Sequence, residues 1–116
     1  MRNDKENLIV KLTLEFALDI ISFSELLEEN RKFVIARQLL KAGTSIGANI
    51  REAQNAESKP DFIHKMKIAA KEADETEYWL ILCEMSKNYP YDPEIKEKLH
   101  SIINIISKII STSKSH

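Results

Sequence analysis

The sequence predicts an all-α protein, an antiparallel up-down-up-down four-helix bundle in one domain spanning residues 1–116. Three observations carry this. Two glycines and three prolines in 116 residues leave too little turn chemistry for an all-β fold. Leu, Ile, Glu, Lys and Ala dominate, a mixture suited to long helices. Apolar residues recur at three- and four-residue spacing in four stretches separated by short breaks, which makes sequential helices antiparallel neighbours.

Helix one is expected over residues 4–29. Leu8, Ile9, Leu12, Phe16, Ile20, Phe23 and Leu27 form one face. A second apolar set, Val10, Leu14, Ala17, Leu18 and Ile21, falls roughly opposite at ~100° per residue. A helix with two apolar faces needs two partners, and the second is expected to be another subunit. Asn30 and Arg31 break the pattern.

Helix two is expected over residues 32–57, centred on Ile35, Leu39, Ala42, Ile46, Ile50 and Ala53. One flank carries Ala36, Gly43 and Gly47, and the other Gln38, Ser45, Asn49 and Glu52. Each interior glycine costs about 1 kcal/mol relative to alanine, so a closely approaching helix is expected on the glycine side. Ser58-Lys59-Pro60-Asp61 starts helix three, expected over 60–87: a capping side chain, a first-turn proline and an acid near the positive end of the dipole. Phe62, Met66, Ala69, Ala73, Leu80 and Ile81 face inward, while Ile68, Trp79 and Leu82 make a second face. Asp92-Pro93 opens helix four, expected over 93–111 with Ile95, Leu99, Ile102, Ile103, Ile106, Ile109 and Ile110 as its stripe. Leu14, Leu18, Ile21, Ile68, Trp79 and Leu82 are therefore the candidate oligomer interface.

Net charge is −1, so the whole chain is no general attractor of nucleic acid. Residues 1–30 hold three basic and seven acidic side chains, net −4, and residues 31–58 hold five and two, net +3. The basic residues of that second segment, Arg31, Lys32, Arg37, Lys41 and Arg51, are the candidate nucleic-acid contacts. Arg37, Lys41 and Arg51 project away from the Ile35/Ile46 stripe, and the ordinary alternative is a solvated face. No aromatic side chains interleave with them, which disfavours single-strand recognition by stacking.

The lone Cys83 excludes an intrachain disulfide or a cysteine-based zinc site and fits a buried thiol in a reducing compartment. With no leader pattern and no apolar run near 18 residues, a cytoplasmic protein away from membranes is expected. Catalytic signatures are sparse. Glu97 and His100 match half of a di-metal Glu-x-x-His motif but lie away from the Ile102/Ile106 stripe, facing solvent. Glu72 and Glu75 sit in a partly apolar setting that would suit a general acid. The favoured reading is that they complete a buried hydrogen-bond network with Gln38, Ser45, Asn49 and Glu52. No catalytic residue, metal or cofactor is assigned.

The segments QLLKAGTSIGANIREAQ (Gln38–Gln54) and DFIHKMKIAAKEADETEYWLILCE (Asp61–Glu84) resemble the 23S ribosomal RNA intervening-sequence family, also labelled S23-type ribosomal proteins. The resemblance covers roughly residues 8–110 and rests on Gln38, Ser45–Ile50, Glu52-Ala53, Lys71–Ala73, Glu75-Thr76 and Tyr78–Leu80. It implies a left-handed antiparallel four-helix bundle that assembles as a ring-like homopentamer, with no enzymatic activity and an accessory or scaffold role. Some relatives are encoded within insertions of the 23S rRNA gene. Others serve diversity-generating retroelements, binding reverse transcriptase and nucleic acid through a basic surface. Expected partners are thus further copies of the chain, with RNA or a nucleoprotein complex as the alternative.

Overall fold

The computed structural model describes residues 4–115. They form four α-helices: α1 (Asp4–Glu29), α2 (Phe33–Ala53), α3 (Lys59–Met85) and α4 (Pro93–Lys114), with no strand among the described residues. The helices make a rod of 48 × 19 × 19 Å. α1 packs on α2 and α4, and α3 on the same two, while the diagonal pairs α1/α3 and α2/α4 make no close backbone approach. The four thus surround one core. Phe16, Ile20 and Leu27 from α1 meet Leu39, Ile46 and Ile50 from α2, Met66 and Leu80 from α3, and Leu99, Ile102 and Ile106 from α4. Each such fully buried side chain stabilises the fold by about 1.5–3 kcal/mol relative to exposure.

The helix limits follow from local chemistry. α2 stops at Ala53, four residues before the expected end, because residues 54–58 turn the chain into the start of α3. Ser58 is extended there, with φ −154°, and its hydroxyl accepts from the Asp61 N–H at 3.2 Å. A residue in that conformation cannot also continue α2. α3 closes at Met85 rather than 87, with Ser86 extended and Asn88 left-handed at φ 65°. Asp92 caps α4 by accepting from the Glu94 N–H at 3.0 Å, and α4 runs three residues past its expected end at 111. α2 starts with no side-chain cap at Lys32. Its entry is held by the backbone instead: Arg31 takes φ 65°, and the Lys32 N–H reaches the Leu27 carbonyl at 2.8 Å. The Lys32 ammonium then lies 4.6 Å from the Tyr89 ring centroid, joining the α1–α2 turn to the α3–α4 turn.

The close helix approach expected at the glycines is present, and α1 makes it. A Cβ on Gly43 would stand 2.8 Å from Ile20 Cγ2, and one on Gly47 would stand 3.2 Å from the Thr13 carbonyl oxygen. The inner face of α1 differs from its sequence assignment at Leu8, which is 44 % exposed. Thr13 and Ser24 are buried on α1 instead, and Thr76 on α3. At Thr13 a short side chain fits beneath the close approach of Gly47, where leucine would not. The Thr13 and Thr76 hydroxyls donate to the Ile9 and Glu72 carbonyls, each at 2.7 Å, so they need no partner on another helix.

Candidate interaction surfaces

Three ion pairs and one histidine–carboxylate hydrogen bond of the described residues close three of the four helix seams. Lys98 meets Asp19 at 2.7 Å between α4 and α1. Lys96 meets Glu84 at 2.9 Å and His100 meets Glu77 at 2.6 Å between α4 and α3. Lys65 meets Glu52 at 3.2 Å between α3 and α2. The α1–α2 seam carries no ion pair among the described residues. It carries apolar side chains on its outer side: Leu14 and Leu18 are 57 % and 58 % exposed, with Ile21 and Leu40 also in solvent. A groove of about 210 Å³ runs along this seam, lined by Val10, Leu14, Ala17, Thr44, Ala48 and Arg51. Its floor is Gly47 against Thr13, so the glycine that admits α1 also shapes the groove.

Arg37, Lys41 and Arg51 are exposed on α2, with Arg51 lining that groove, and none has a carboxylate within ion-pair distance among the described residues. Arg31 and Lys32 belong to a different place, the turn before α2, where Lys32 is engaged with Tyr89. The five basic residues therefore do not form one continuous strip.

The polar stripe is the main correction to the sequence reading. Gln38 is exposed, and Ser45, Asn49 and Glu72 are half-buried. The Ser45 hydroxyl donates to the Lys41 carbonyl at 2.6 Å, and the Asn49 amide donates to the Ser45 carbonyl at 2.8 Å. Glu52 pairs with Lys65, and Glu75 accepts from the Trp79 indole N–H at 3.2 Å. Among the described residues no hydrogen bond joins Gln38, Ser45, Asn49 or Glu52 to Glu72 or Glu75, so the expected buried network is not formed. The reason is local. Side chains near a helix surface bond to their own preceding turn at little entropic cost, and water competes for the rest.

On α3, Ile68, Trp79 and Leu82 are half-buried. Only Trp79 of the three packs against the core, and its ring meets Tyr78 edge-on at 5.3 Å. His100, read from the sequence as facing solvent, is exposed but bridges to Glu77 on α3, whereas Glu97 remains exposed. No periodicity signal could have found that bridge, because it depends on the register between two helices. Burial pushes the Cys83 thiol up to about 11. That makes it an inert core group. The described residues hold no group of three or more His, Cys, Asp and Glu side chains placed to bind a metal. No described helix is long and apolar enough to cross a membrane.

This arrangement has a solved counterpart. A crystal structure from Bacteroides thetaiotaomicron VPI-5482, of a protein with unknown function from the S23 ribosomal protein family, is similar to this chain with a TM-score of 0.87 and 42 % sequence identity. The similarity covers 92 % of this chain and 98 % of that one. No curated protein matches. The family described as 23S rRNA-intervening sequence protein matches residues 5–112, a span that takes in all four helices but for the first residue of α1 and the last two of α4. The small-residue seam, the half-open polar stripe and the acid-flanked tryptophan thus occur in a chain that belongs to the 23S rRNA-intervening sequence protein family.

Proposed function

We propose that this protein is a non-catalytic, self-assembling scaffold: an up-down-up-down bundle that forms a ring-like homo-oligomer, a pentamer on the family resemblance, in the cytoplasm. The up-down course is supported by contacts that run in opposite senses along neighbouring helices. Gly43 and Gly47 meet Ile20 and Thr13, and Lys96 and His100 meet Glu84 and Glu77. Self-assembly rests on one observation above all. Leu14, Leu18 and Ile21 stand in solvent on one side of α1, at the seam that no ion pair of the described residues closes. Contiguous exposed apolar surface of this kind marks an interaction site on a soluble domain. Multi-angle light scattering at micromolar concentration tests this. Several copies per particle are expected, and a 13.4 kDa monomer refutes the reading.

A second reading, an RNA- or DNA-binding module, draws on the exposed guanidinium and ammonium groups of Arg37, Lys41 and Arg51, which pair with no carboxylate among the described residues. Assembly would multiply these cations around a symmetry axis. Binding to a structured RNA that weakens steeply between 50 and 200 mM salt supports this reading. No binding at the lower salt removes it.

A further inference from the structure

We draw no further inference here: the strongest candidate, the cleft of about 240 Å³ between α1 and α4 lined by Asp19, Asp92, Glu94 and Lys98, is an acidic cluster to which no second feature of the described residues assigns a ligand.

Discussion

At Gly43 two effects of similar size oppose each other. Alanine is worth about 1 kcal/mol more than glycine inside a helix. Its Cβ would stand 2.8 and 2.9 Å from the two γ carbons of Ile20, a buried, β-branched side chain with little freedom to move aside. Overpacking of this kind costs about 1–3 kcal/mol. Gly43→Ala is therefore expected to destabilise by about 1 kcal/mol net, seen as a lower urea midpoint. At Gly47 the nearest contact is a looser 3.2 Å, so alanine is better tolerated there. Cys83 gives a second prediction at this scale. Its thiol is raised from 9.0 to about 11 by burial. Below pH 9 the thiolate is then roughly a hundredfold scarcer than in an exposed cysteine, so the folded protein is expected to resist iodoacetamide at pH 8 and to react on unfolding. The linked stability term has a definite sign. The unfolded thiol ionises first, so the contribution is intact below about 9 and is lost as pH rises toward 11.

The helices themselves show how much a sequence of this kind discloses. α1 begins and ends at its expected residues, and α3 and α4 begin within one residue of theirs, because Ser58-Lys59-Pro60 and Asp92-Pro93 encode capped starts. Helix ends lack such signals here, and all the errors of two or more residues fall at C-termini. Side chains at helix seams are less legible. Periodicity says which residues face inward, but whether Asn49 reaches across to α3 or back to Ser45 depends on distances that no spacing rule contains. The entry to α2 yields a prediction of its own. Arg31 holds the left-handed conformation at φ 65°, which costs roughly 1 kcal/mol in any residue with a Cβ. Arg31→Gly is expected to raise stability by about that amount in urea titration, with the helical content of the protein unchanged.

For the molecule as a whole, assembly and folding share one equilibrium. If copies associate as proposed, unfolding releases them, and the thermal midpoint becomes concentration-dependent. A tenfold increase in protein concentration is expected to raise the wild-type Tm by a few degrees and to leave that of Leu18→Lys unchanged, as differential scanning fluorimetry would show. The three ion pairs and the His100–Glu77 contact named above are partly exposed and contribute little each, so salt is expected to change the stability of the bundle only slightly.

Trp79 is the only tryptophan of the chain. It is half-buried on α3 with its indole N–H on Glu75. Excited near 295 nm (about the wavelength where tyrosine falls silent), the protein emits from that single position. Its own fluorescence therefore reports on one face and on no other. A shift of that emission to the blue on concentrating the protein, or on adding RNA, would say which surface a partner has covered without any label being attached.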